Sequence, residues 1–350
     1  MKSNWIRFLA GVIASAVLVG AFALTGGMKN GKRTDGLLYE ASGLHPDGEL
    51  LLIDGQTVTA EEYLYWLAQD CDYLSGQVEG LDWDASVTED MTFGAYAKAD
   101  AMEAVKQHAV VRAWAEEAGI GLTDADKAEL EAQRQQYVTY YGSEESFLQR
   151  LAVMGVSEAA WDMIQTGQYL YRNLYEAFCT PGSGLYPDEA SLADYAAAQG
   201  YMSVYAVTVT DDDAEGVAAD LLARWQAAED KEGEYAAICE ELGQEVGSAV
   251  TLAAVEDDPL SDAIAALEEG GMDAVIDPYE DGTCYVVMRT ETDMSAVAQT
   301  YFDVLWEQRV RDAVVVVNTK LYDTIDTGAF YEKLTQLRAV LEAESGDTAG

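Results

Sequence analysis

Leu50-Leu51-Leu52-Ile53-Asp54-Gly55-Gln56-Thr57-Val58-Thr59-Ala60-Glu61-Glu62-Tyr63 holds two changes of backbone state within fourteen residues. The apolar run Leu50–Ile53 and the alternating Gln56–Val58 flank Asp54-Gly55, a dipeptide that tolerates the positive φ angles of a tight hairpin turn. Thr59 followed three residues later by Glu62 has the form of a capping box, in which hydroxyl and carboxylate satisfy free amides at a helix start. The stretch therefore predicts a small hairpin feeding directly into a helix that runs to about Tyr73.

Working outward, the next hundred residues are helical with short connections. A helix is expected from about Phe93 to Ala118, stopped by Gly119-Ile120, and another opens at Thr123-Asp124-Ala125-Asp126 and ends at Gly142. Ser143 opens a short helix closed by Gly155. Ser157 opens a longer one reaching about Cys179 before Pro181-Gly182, and a further helix covers about 188–199. At Tyr201 the pattern changes. Tyr201–Val209 alternates and is rich in β-formers; helices near 215–228 and 234–242, a weak strand near Val250, a helix from Pro259 and strands near 274–276 and 284–289 complete a compact α/β unit. From Met294 to about Glu344 the chain reads as helical again, with breaks near Asn318 and Gly328. The fold class is α+β, a mostly helical body with a small α/β unit after an N-terminal apolar helix.

Before the hairpin lies Phe8–Leu24, seventeen residues without a charge, preceded by Lys2 and Arg7. At about 1.5 Å per residue it reaches across most of a ~30 Å hydrocarbon layer. Ala21-Phe22-Ala23 has the small-x-small form of a signal-peptidase site, so residues 1–33 are either a cleaved signal peptide or a membrane anchor, and both place the body outside the cytoplasm. Residues 34–49, rich in Gly and charge, read as a linker, and 345–350 as a frayed tail. All 63 acidic residues follow position 34 while five of the 20 basic ones precede it, and the whole chain carries a net charge of −43. A field of that sign repels phosphate backbones and excludes nucleic acid as a partner. With 49% hydrophobic residues the body buries a core and is not a disordered acidic tail.

Cys71, Cys179, Cys239 and Cys284 show neither a C-x-x-C pair nor metal-ligand spacing. Cys239 with Cys284 is the one pairing within a single expected unit, and free thiols are the expected state. The only histidines are His45 and His108, and neither has ligand spacing with a partner. The chain has no phosphate loop, no H-E-x-x-H and no nucleophile elbow, and no cofactor or metal is expected. The runs Asp211-Asp212-Asp213 and Glu256-Asp257-Asp258 read as solvated charge, without the spaced ligands of a calcium loop.

The order of export segment, the entry Ile53–Tyr63, helical half, α/β unit and returning helix resembles the extracytoplasmic SurA/PrsA-like foldases. Ala118–Asp124, Phe147–Gly155, Leu267–Arg289 and Asn318–Tyr331 carry the likeness further. The resemblance implies a helical chaperone domain over 50–199, an inserted parvulin-type peptidyl-prolyl isomerase domain over 200–292 and a returning helical segment over 293–344. It implies binding of unfolded or nascent exported polypeptides, with the membrane as a second partner if the N-terminal segment is retained. It further implies a cleft with facing histidines. In this chain the first would fall near Tyr205 and Ala206 and the second near Cys284, and no histidine occurs after His108. The resemblance points to an isomerase and the missing residues point away from turnover. An active isomerase with an atypical cleft and a non-catalytic envelope scaffold stand as the alternatives.

Trp161, Tyr169 and Tyr175, with Tyr301 and Trp306 on the returning segment, form the aromatic-rich stretches. Amphipathic rings grip varied sequences at low ordering cost, which makes these five the candidate client-binding residues. The same spacing also describes the seam between two packed helices.

Overall fold

The computed structural model describes residues 28–346. The apolar segment Phe8–Leu24, the cleavage motif at Ala23 and the last four residues lie outside them. No helix among the described residues is long and apolar enough to cross a membrane. The chain forms two compact units, one built from residues up to Leu174 together with those from Trp306 onward, the other from Tyr175–Leu305. The division falls inside two helices.

In the first unit the lead-in is not a linker. Residues 37–44 carry apolar side chains at helical spacing and form α1 (Leu37–Ser42), ended by Gly43 in the left-handed region. Leu38, Ala41 and Leu44 are buried in the main core. The preceding backbone is tied down as well: the Asp47 carboxylate accepts the amide protons of Lys32 (2.8 Å) and Arg33 (2.9 Å). Composition had hidden a short amphipathic helix among charges.

The hairpin forms as its sequence dictates, with β1 (Glu49–Ile53) and β2 (Gln56–Thr59) joined by Asp54 and Gly55 at φ 47° and 83°. β1 has a second antiparallel neighbour in β9 (Val315–Val317), with Leu51 opposite Val317 and Ile53 opposite Val315. The returning segment is therefore not helical throughout. The run Val314–Val317 consists of β-branched residues, and it pairs where it meets an open strand edge.

Helix α2 (Ala60–Gln77) starts at Thr59, whose hydroxyl accepts the Glu62 amide at 3.2 Å. The expected reciprocal bond is absent. Glu62 is fully buried and accepts instead from Arg112 (2.9 Å) on α3 (Phe93–Ala118). Glu61, also buried, accepts from the amide (2.6 Å) and hydroxyl (3.0 Å) of Ser157 and from Arg33 (2.9 Å). Between α2 and α3 come two short paired strands, β3 (Ser86–Thr88) and β4 (Met91–Thr92). Helix α4 (Asp124–Tyr141) carries the true capping box, Thr123 with Asp126. α5 (Glu144–Met154) stops at Gly155, whose φ of 86° and approach to Leu38 leave no room for a side chain. α6 (Glu158–Cys179) follows.

In the second unit, α7 (Glu189–Gln199) leads to β5 (Met202–Val209), α8 (Ala214–Ala227), α9 (Lys231–Glu241), β6 (Val250–Leu252), α10 (Pro259–Ala265), β7 (Met272–Val275) and β8 (Cys284–Thr290). The antiparallel sheet has the order β6-β5-β8-β7. Strand alternation sends Val207, Val209, Cys284 and Val286 into a core with Leu221, Trp225 and Ile238 of α8 and α9, and sends Met202, Val204 and Val287 against Ile264 of α10. α11 (Met294–Asp312) runs on from this unit into the first, where α12 (Thr319–Tyr322) and α13 (Thr327–Gly346) complete the chain. Phe330 and Leu334 of α13 are buried in the same core as Leu38 and Ile53.

Two observations on the first unit are open to test. Leu38 is 1% exposed, so Leu38→Ala should lower its stability by about 2–5 kcal/mol in urea unfolding; a neutral change would return residues 34–49 to the status of a linker. Burial and the neighbouring Asp100 push the Asp70 carboxyl up to about 8, against about 3.9 in an unfolded chain. Its contribution to stability is complete below the unfolded value and is lost as pH rises through 8. Burial, with Arg112 close by, holds His108 down to about 4, so its contribution, present above about 6.5, is lost only on acidification. Between about 6.5 and 8 Asp70 acts without that opposition. Stability should fall across this window, and Asp70→Asn should abolish the fall; an unchanged slope would rule the pair out as its source.

Candidate functional site

The three residues expected at an isomerase cleft do not share one. Adjacent strand residues face opposite ways, so Tyr205 and Ala206 lie on opposite sides of the β5 sheet. Ala206 is exposed on the α10 side, paired across the strands with Val287. Tyr205 lies on the other side, its ring 4.7 Å from that of Tyr235. Cys284 pairs with Val209 and is 2% exposed inside the α8/α9 core. Tyr205 and Cys284 thus lie on one face of the sheet and Ala206 on the other. On the Ala206 side the polar groups include Thr208, Arg289, Asp273, Tyr285, which is half-buried, and Tyr279, which donates to the Asp258 carboxylate at 3.0 Å. Asp258 also accepts the Ser261 amide at the start of α10, so part of the acidic run 256–258 is a helix cap rather than solvated charge.

Of the five aromatic candidates, four are occupied in helix packing. Tyr169 is 9% exposed, with the Arg172 guanidinium 4.7 Å from its ring centre. Trp306 meets Tyr171 edge-on at 5.2 Å. Tyr175 meets Phe302 edge-on at 5.2 Å, and Tyr301 stacks on Tyr195 at 4.4 Å. Tyr171 with Trp306 and Tyr175 with Phe302 are contacts between α6 and α11, while Tyr301 stacks on a ring of α7 and Tyr169 meets an arginine of its own helix. Each of the four side chains is thus engaged in a contact inside the protein.

Trp161 is packed as well, and it also borders open space. It is half-buried and packs edge-on to Tyr137 (5.7 Å) and Phe147 (6.4 Å). With Tyr137 and Leu130 of α4 it walls a cavity of about 420 Å³, whose rim carries Glu131, Glu158 and Asp162. Arg134 fixes this rim by bonding Glu144 (2.6 Å) and Glu158 (2.8 Å) across three helices, with its guanidinium 5.3 Å from the Phe147 ring centre. The hydrogen bonds to Glu144 raise the Arg134 pKa further, and partial burial raises that of Asp162. The geometry offers an open recess in which Leu130 and two rings lie among charged and polar side chains, Lys127, Gln133, Gln165 and Thr166 included, suited to holding a side chain without bond making. Sequence inspection missed Tyr137 and Arg134. The signal was present, since Arg134, Tyr137 and Tyr141 recur at intervals of three and four along one face of α4.

No protein-family model matches the sequence, and no curated protein matches it. Among solved structures the chain is similar to the foldase protein PrsA from Lactococcus lactis, at 15% identity and TM-score 0.31, over 81% of this chain and 98% of that one. It is similar to PrsA from Streptococcus pneumoniae at 13% identity and TM-score 0.25, covering 73% of this chain and 99% of that one. PrsA from Bacillus subtilis matches at 14% identity and TM-score 0.25, covering 73% and 92%. At these TM-scores the likeness lends no weight to a functional assignment, which rests on the residues described above.

All four cysteines are free, and only Cys179 is not buried. A thiol reagent should therefore modify Cys179 first and the other three on unfolding; rapid labelling of Cys284 in the folded chain would show that its strand opens to a cleft.

Proposed function

We propose that the chain is an exported holder of unfolded polypeptides whose second unit is a parvulin-like domain without isomerase chemistry. The observation that carries the reading is the open cavity beside Trp161 and Tyr137, where two rings and Leu130 lie next to unfilled space in the first unit. Such a recess accepts varied apolar side chains, because ring faces and edges demand little directional fit. The N-terminal apolar segment delivers the body to the compartment where extended chains emerge, and retention of that segment as an anchor raises the local concentration there.

The chemistry of the sheet supports the non-catalytic half. Rotation about a prolyl amide faces a barrier of roughly 18–20 kcal/mol, and an enzyme lowers it by groups that favour the twisted amide. At the expected cleft positions this chain presents the methyl of Ala206 and a buried thiol at Cys284, and both of its histidines, His45 and His108, belong to the other unit.

The test is suppression of aggregation of a chemically denatured client by the full chain. Trp161→Ala should weaken protection severalfold at equal concentration while leaving the unfolding midpoint within the usual range for a half-buried ring. In parallel, a proline-containing peptide should isomerise at its uncatalysed rate. Full protection by the Trp161 variant would sink the cavity as the holding site, and catalysed isomerisation would sink the non-catalytic reading.

A further inference from the structure

The second unit contains another cavity of about 420 Å³, at one end of the sheet, and its lining is chemically lopsided. Ala193, Ala196 and Ala197 of α7, Met202, Ala254 and Ala265 make it small-residued and apolar. Its one charged side chain is Arg289, which sits on the α10 side of β8 opposite Val204. No carboxylate lines it.

That arginine is unusual for this chain. Carboxylates outnumber basic residues 63 to 20, and eight of the ten described arginines hold one within 4.0 Å. The two others are Arg150, on the surface, and Arg289, which is half-buried. Nη1 of Arg289 donates to the carbonyls of Ala265 (3.0 Å) and Leu267 (2.7 Å), which holds the guanidinium in place. Its Nε is buried and donates to no acceptor among the described residues. A buried donor without a partner is destabilising, and a charge-assisted hydrogen bond to a carboxylate oxygen is the strong pairing open to a guanidinium whose bonds otherwise go to neutral carbonyls. Repulsion from the acidic surface elsewhere is screened beyond roughly 8–10 Å in physiological salt and does not govern a contact at van der Waals range.

We infer that this cavity is a binding site for a carboxylate carried by a peptide, with Arg289 as the anion partner and the alanines and methionines receiving the adjacent small apolar side chain. The inference is independent of the client-holding cavity in the first unit and survives its failure.

Calorimetric titration of the full chain with N-acetylated penta-alanine bearing a free C-terminal carboxylate tests it. Saturable binding is expected, at least tenfold tighter than for the same peptide as its C-terminal amide. A C-terminal amide carrying an internal glutamate separates the two sources: binding as tight as the free acid assigns the site to acidic side chains, and weaker binding assigns it to chain termini. Arg289→Gln should abolish the difference between acid and amide. Because that change also alters two carbonyl bonds, Ala197→Leu serves as a second variant; it fills the cavity from an exposed helix position and should abolish binding with the thermal midpoint unchanged. Equal binding of acid and amide, no saturation, or undiminished binding by Ala197→Leu would each overturn the assignment.

Discussion

The pairing of Leu51–Ile53 with Val315–Val317 is the constraint on which the first unit depends. It joins an early strand to one in the final quarter of the chain and turns a two-stranded hairpin, which is marginal alone, into a three-stranded sheet. Closing so long a loop costs entropy that grows only with the logarithm of its length. Leu50, Leu51 and Ile53, each with no exposed surface, offset it by burial. Polar contacts fix the register at both ends of the pairing. The Val314 amide donates to the Asp54 carboxylate (2.8 Å), and Asn318 donates from its amide to Leu50 and from its side chain to Glu49. Past this point α13 brings Phe330 and Leu334 into the core laid down by α1 and α2.

A second regularity concerns charge. In a chain so acidic, the buried carboxylates are the ones that hold helices together. Glu61 ties the start of α6 to α2, Glu62 ties α3 to α2, and Asp126 accepts from Arg172 (2.5 Å) and Asn173 (2.7 Å) while capping α4. Each is matched by a cation or by several donors, the condition under which a buried charge is tolerated. Against that background Arg289, half-buried with no carboxylate beside it, and the Trp161 recess, lined but unfilled, are two of the places where local satisfaction is incomplete, the buried Nε1 of Trp66 and Oδ2 of Asp70 being others. Incomplete satisfaction is where a fold leaves room for a ligand.

Much of the architecture was legible because its helix ends carry their own chemistry. Thr59, Thr123, Ser143 and Asp188 each accept an amide at a helix start, and Gly119, Gly142, Gly155 and Gly200 end helices in the left-handed region. β9 was not legible, since a short β-branched run reads equally as strand or buried helix until a partner edge is known. α1 was masked by the charges around it. The site was less legible than the fold. Periodicity identifies a ring stripe on α6 but not whether another stripe covers it, and so Tyr175 and Tyr301 looked equivalent to Trp161. Strand alternation separates Ala206 from Cys284, yet that separation depends on the register of β5 against β8, which only the fold reveals.

The central claim is that extended chains are held by the helical unit at the recess between α4 and α6. Hydrogen–deuterium exchange of the full chain, with and without a permanently unfolded, reduced and alkylated polypeptide, addresses it residue by residue. The expected result is added protection in α4 and α6 around Tyr137 and Trp161. Exchange there that is unaltered by saturating polypeptide would contradict it.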